Sequence, residues 1–298
     1  MAIFISRLWT QPILITAMLA SLVNITGCAK KAEQQEAKPQ ETTTLNIGFQ
    51  KYGILPIVKA KGELEKNLAA QGVNVKWVEF PAGPQLLEGL NVGSVSLGEA
   101  GEAPPIFAQA ANPNLVYVAN QPAAPTAEAL IVQKDSPIQS VQDLKGKRIA
   151  LNKGSNVHYL LLKLLEANNL TLNDIQPVYL PPSDARAAFE KGAVDAWVIW
   201  DPFLAAAQQT LQARLLADAT GVVNNRGYYF SSRDFATKNT DVLRIALQEI
   251  NGIDAWVAQG LGDVVVTRNR NHAAMLGGAC HIGVLEHIGA AVHTRAFA

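Results

Sequence analysis

Ala185–Phe203 reads ARAAFEKGAVDAWVIWDPF, and its plan sets the architecture. An amphipathic helix runs into Gly192, an apolar strand follows, and the strand stops at a polar corner holding Asp201 and Pro202. The same plan stands about a hundred residues earlier. Leu86–Pro105, LLEGLNVGSVSLGEAGEAPP, again gives helix, Gly, strand and a Pro-containing corner. One copy in each half predicts two similar α/β lobes. A ligand is expected between them, because open α/β sheets bind at the carboxyl ends of their strands.

Outward from these copies the pattern alternates. TLNIGFQ (Thr44–Gln50), VNVKWVEF, SVSLGEA and NLVYVAN read as strands, separated by helices over ILPIVKAKGELEKNLAAQG, GPQLLEGLNVG and EAPPIFAQAA. ALIVQ, RIALN, DIQPVYL, DAWVIW and GYYFSS continue the strands. A helical turn at SVQDLKG and helices at SDARAAFEKG, DPFLAAAQQTLQAR and DVLRIALQEINGIDAWVAQ lie among them and after them. Strands and helices in turn, with short connections, predict mostly parallel sheets.

LNKGSNVHYLLLKLLEANNL (Leu151–Leu170) is the stretch with the clearest chemical content. Val157, Leu160, Leu161, Leu164 and Leu165 fall at helical spacing and predict a buried stripe that fixes the helix on a sheet. Its start is a corner of small residues. Ser155 or Asn156 there either caps the first turn or leaves the amides to hold an anion. Lys153 and His158 flank that end and add positive potential. Asp184 and Arg186 at the next helix start suit either a cap and a solvated side chain or an Arg clamp on an oxyanion. Asp201 and Pro202 suit a helix start, or Trp200 and Phe203 beside them an aromatic wall.

Composition removes other classes. The 298 residues carry 25 basic and 25 acidic side chains, which argues against a nucleic-acid partner. Two cysteines, Cys28 and Cys280, give no disulfide framework and no zinc spacing. GxGxxG, GxxxxGK[ST] and GxSxG are absent, and His158 is the one His before residue 260, so catalysis has little material and no metal or cofactor is expected. Residues 1–28 read as a targeting segment: Arg7, then the apolar PILITAMLASLV, then ITGC ending at Cys28. ITGC resembles the lipobox of bacterial lipoproteins, which implies lipidation of Cys28 and a location at the outer face of the cytoplasmic membrane. Residues 29–43 are a polar tether without the apolar content needed to fold.

WVEFPAGPQLLEGLNVGSVSLGEAGEAPPIFAQAA, DLKGKRIALNKGSNVHYLLLKLL, PPSDARAAFEKGAVDAWVIWDPF and YYFSSRDFATKN together resemble the aliphatic-sulfonate-binding proteins of ABC importers. The likeness runs from Thr44 to Gln259, in a wider group with taurine-, nitrate- and thiamine-precursor-related proteins. It implies a type II periplasmic-binding-protein fold without enzymatic activity. Lobe 1 would hold 44–130 plus 227–259, and lobe 2 would hold 131–226. The implied protein is a monomer that takes a small organosulfonate and hands it to a membrane permease. Taurine, nitrate or a thiamine-pyrimidine precursor are the alternative guests. The implied cleft residues are Gln50, Gly83, Pro84, Gln85, Ala100, Ser155, Asn156, His158, Asp184, Arg186, Trp200 and Asp201. This chain has Glu99-Ala100 where the group usually has a hydroxyl residue, so Glu99 is a candidate to meet an amine or hydroxyl on the guest. After Gln259 the likeness stops. Residues 260–298 hold four of the five His and no Lys, and read as an altered or frameshifted end rather than a Cys/His metal site.

Overall fold

The computed structural model describes residues 43–259 and the short strand Gly283–Val284. The predicted signal segment, Cys28, the tether up to residue 42 and, apart from that strand, the tail from residue 260 with its Cys and His lie outside those residues.

Two five-strand units share one wiring. In the first sheet, β1 (Thr43–Phe49), β2 (Val73–Glu79) and β3 (Leu97–Gly101) run parallel, followed in the chain by β4 (Leu115–Ala123). The second sheet repeats this with β6 (Arg148–Leu151), β7 (Gln176–Tyr179), β8 (Ala196–Trp200) and β9 (Arg214–Asp218). Each sheet also takes in one reversed strand from a direct crossing between lobes. β5 (Glu128–Val132) lies between β8 and β9, and β10 (Arg226–Ser232) lies between β3 and β4. β11 (Gly283–Val284) adds to the free edge of β4, antiparallel. The sheets are therefore mixed, and the reversed strands are those that arrive without a crossover helix. β5 enters the second sheet at Glu128, so the chain crosses before that residue rather than after Leu130.

Helices pack on the sheets by their apolar stripes. α5 (Asn156–Ala167) buries Val157, Leu160, Leu161, Leu164 and Leu165, the five predicted positions. Each such burial is worth about 1.5–3 kcal/mol. With Trp197 and Phe189 they form one continuous core in the second lobe. The first lobe has two cores, one on each face of its sheet. Leu45, Ile47 and Phe49 of β1 face α1 (Leu55–Lys61), α2 (Glu63–Ala69) and α9 (Thr240–Ala258). Gly48 faces α3 (Gly83–Asn91), where an added Cβ would lie 3.1 Å from Leu86. This is the period of two expected of a strand covered on both sides.

Two expected helices are cut short. The single helix over 54–72 is split at Gly62, whose φ of 67° closes α1 while α2 starts beside it. α7 (Phe203–Thr210) ends at Thr210, residues 211–213 turn the chain, and β9 opens at Arg214, the last residue of the predicted helix. Gln212 makes that corner with φ 52°, a left-handed conformation that Gly more often supplies. The remaining helices are α4 (Pro104–Ala111), α6 (Pro182–Glu190) and α8 (Arg233–Lys238).

Candidate functional site

A cleft lies where the two lobes meet. It encloses about 370 Å³ of empty space, part of it open to solvent. Its walls are Gln50 and Tyr52 after β1, Gly83 at the start of α3, and Gly101 and Pro104 around the β3–α4 corner. The other lobe gives Glu128, Ser155, Asn156 and Trp200, and Asn225 comes from the second crossing. These are carboxyl ends of strands and amino ends of helices, the arrangement that leaves backbone N–H groups facing inward.

The start of α5 is set up to accept a guest. Ser155 is buried at the N-cap, yet its Oγ donates to the Asn152 carbonyl at 2.7 Å instead of accepting from the first turn. The Asn156 side chain is also engaged elsewhere: Oδ1 accepts from the Ala103 N–H at 3.1 Å and Nδ2 donates to Asn225 Oδ1 at 2.8 Å. Neither residue caps the helix, and the N–H groups of Asn156 and Val157 find no acceptor among the described residues. Gly154 turns the chain with φ 74°, and an added Cβ there would come within 3.9 Å of Pro84. The amino ends of α3 and α5 thus face each other across the gap, and both dipoles favour negative charge there.

Asn156 also ties the lobes together. It reaches so close to β3 that a Cβ at Gly101 would lie 2.2 Å from its side-chain nitrogen. Its partner Asn225 has φ 48°, donates from Nδ2 to the Ala124 carbonyl at 2.8 Å, and donates its N–H to Glu102 at 3.0 Å. The two crossings are in this way bonded to each other.

The cleft brings together five of the twelve expected residues: Gln50, Gly83, Ser155, Asn156 and Trp200. Pro84 stands beside it, and Ala100 lies fully buried beneath Gly83. Gln50 is buried and donates from Nε2 to the Glu99 carbonyl at 2.9 Å. His158 serves the loop: its Nδ1 accepts from the Gly154 N–H at 3.2 Å, which fixes the neutral tautomer with the proton on Nε2. Burial, with Lys153 nearby, holds His158 below the usual imidazole range. Lys153 itself sits over the Tyr179 ring at 5.4 Å. Asp201 is buried and accepts the Ala205 N–H at 2.8 Å, the capping alternative of the two weighed for it.

Besides Pro84, Ala100, His158 and Asp201, three more expected residues lie outside the lining. Gln85 and Asp184 are exposed. Arg186 donates to Thr210 Oγ1 at 3.4 Å, between α6 and α7. Asp184 cannot orient it, because side chains two apart on a helix do not face each other. Tyr52, Gly101, Glu128 and Asn225 were not singled out from the sequence. Gly101 and Tyr52 belong to corners that were, whereas Glu128 and Asn225 gave only weak signals, an acid opening an apolar strand and an Asn pair before another.

Glu99 does not reach the cleft either. It is fully enclosed in lobe 1 behind Gly53, and burial raises its carboxyl to about 8, with Gln121 opposing the rise and Asp254 adding to it. Glu128 is raised to about 8 by burial and, secondarily, by the Glu102 charge. No Lys, Arg or His side chain is among the described residues lining the cleft. The wall offers neutral donors, so an anion there is held by N–H and O–H groups rather than by ion pairs.

Two lobes of this wiring, with helix amino ends converging on the gap, define a periplasmic-type solute-binding protein. The chain belongs to the NMT1/THI5-like family, whose model matches residues 68–257. A relative from Escherichia coli K12 with an aliphatic-sulfonate-binding name is 45% identical over 243 residues, covering 81% of this chain and 74% of its own. The structure of the alkanesulfonate-binding protein SsuA from Xanthomonas axonopodis pv. citri, bound to MOPS, is 41% identical with TM-score 0.71, over 80% of this chain and 83% of that one. The periplasmic SsuA of Escherichia coli is 43% identical with TM-score 0.64, over 79% and 74%. The desulfurization enzyme DSZB shares the fold at 17% identity, TM-score 0.54. The chain groups with the binding proteins and not with enzymes.

Proposed function

We propose that this chain is the extracytoplasmic binding component of an ABC importer, capturing aliphatic sulfonates and delivering them to a membrane permease. The observation that carries this is the uncapped amino end of α5, facing Gly83–Pro84 of the other lobe in a cleft lined by neutral donors. A sulfonate is permanently ionised and has no proton to give, so its oxygens ask only for donors. The Asn156 and Val157 amides and the Tyr52 hydroxyl are of that kind, and Gln50 and Trp200 shape the rest of the wall. Closure of the lobes about the two crossings is the capture step, and the closed form is the one a permease would recognise. The relatives named for sulfonate binding support the guest class, and the lipobox-like ITGC supports an anchor at Cys28.

Thermal-shift and calorimetric titration with ethanesulfonate, taurine, nitrate, sulfate and a thiamine precursor, in a buffer without a sulfonate group, tests the reading. Ethanesulfonate at a hundred times its Kd is expected to stabilise the fold by about 2.7 kcal/mol. A folded protein that responds to no sulfonate would remove the function and leave the fold. For the anchor, Cys28→Ala is expected to release the protein from membranes, and unchanged membrane retention would reject lipidation.

A further inference from the structure

Among the described residues, Glu128 is the one acidic side chain lining the cleft, and nothing in the sulfonate reading uses it. It opens β5 opposite Trp200 of β8, so its place is fixed by the sheet rather than by a loop. It is 1% exposed, and neither carboxyl oxygen has a hydrogen-bond partner among the described residues. An unpaired buried carboxylate is costly, and a group left in that state faces something the protein alone does not supply. The groups around it give no relief. Glu102, on the β3–α4 corner, is a like charge already accepting from the Asn225 and Arg226 amides. Asp201 lies beyond the paired Trp200, its N–H bonded to the Ala127 carbonyl. Tyr52 is the titratable group across the gap, and no basic side chain lines it among the described residues.

An anion entering this space meets a carboxyl group at close quarters. Two negative charges there would repel strongly in the low-dielectric interior. We propose that Glu128 is the charge-balancing residue of the cleft, and that a sulfonate binds together with one proton carried on the Glu128 carboxyl, which then donates its O–H toward the guest. This rests on the sulfonate reading and adds the protonation state of the site. The enclosed position also favours the neutral acid before any guest arrives, which is why burial raises the group to about 8. Below that point the carboxyl is already protonated and binding costs no proton. Above it the proton must be taken up, so affinity falls as pH rises.

The test is ethanesulfonate binding by calorimetry in buffers free of sulfonates. Wild-type affinity is expected to fall about thirtyfold between about pH 7 and about pH 9.5. Repeating the titration at the higher pH in ethanolamine and in borate, which titrate there with different ionisation heats, is expected to register uptake of about one proton per guest. Glu128→Gln is expected to bind with an affinity that no longer depends on pH over that range. Equal wild-type affinity at both pH values, zero proton uptake, or a pH dependence that persists in Glu128→Gln would overturn the assignment while leaving sulfonate binding in place. No binding at any pH would overturn both.

Discussion

β3 and β8 hold the same place in their sheets and are filled in opposite ways. β8 is AWVIW, buried throughout, with Trp197 packed against Phe189 at the centre of the second core. β3 is LGEAG, enclosed except at Gly101, and thin. Leu86 fills the space over Gly98, Asn156 of the other lobe fills the space over Gly101, and Glu99 is an acid inside. One wiring therefore supports two uses. The second lobe spends its third strand on packing, while the first spends it on letting other groups approach.

The sharpest way to break this contrast is to empty β8. Trp197→Ala is expected to cost about 3–5 kcal/mol in a denaturant melt, while protein that remains folded keeps its affinity for ethanesulfonate. Gly101→Val inverts the test. It thrusts a side chain into Asn156 across the gap, so affinity is expected to fall about tenfold or more, with a smaller loss of stability. Equal stability losses in the two variants would erase the distinction.

Glu99→Gln sharpens the comparison from inside β3. A carboxyl raised from 4.5 to about 8 binds more protons folded than unfolded across that interval. Its contribution to stability is complete below pH 4.5 and is lost as pH rises through about 8. The Gln variant should therefore gain melting temperature over wild type at alkaline pH and show a flatter profile, while ligand affinity is unmoved. The smallest effect belongs to the entry of β8. Asp195 accepts from the Arg148 side chain at 2.8 Å and 3.1 Å and from its N–H at 2.7 Å, and the guanidinium holds the acid below the usual carboxylate range. Asp195→Asn is expected to lower the melting temperature slightly near neutral pH and less in acid, where the wild-type bond is lost too.

What could be read from the residues follows from what is local. The α5 stripe and the copied helix–strand–corner were legible because periodicity and punctuation are written in consecutive positions. The split at Gly62 was hidden by an apolar pattern that continues through it. β9 was hidden because Gln212 makes a corner without a Gly or Pro. The reversed direction of β5 and β10 has no sequence signature, since a strand buried on both faces looks alike either way round.

The site was legible in part for the same reason. A helix start announces itself, so Ser155 and Asn156 were found. Which neighbouring side chains turn toward the gap depends on pairings dozens of residues apart. Arg186 meets Thr210 on another helix, and Glu128 is oriented by Trp200 across a strand pair.

The position of β10 between β3 and β4 has a consequence for biosynthesis. All five strands of the second lobe lie between Glu128 and Asp218, whereas the first lobe lacks its inner strand until Ser232 has been made. A chain ending at Asp218 contains every strand of the second sheet and lacks an inner strand of the first. The later half of the chain's architecture is thus completed first, and the earlier half waits for it.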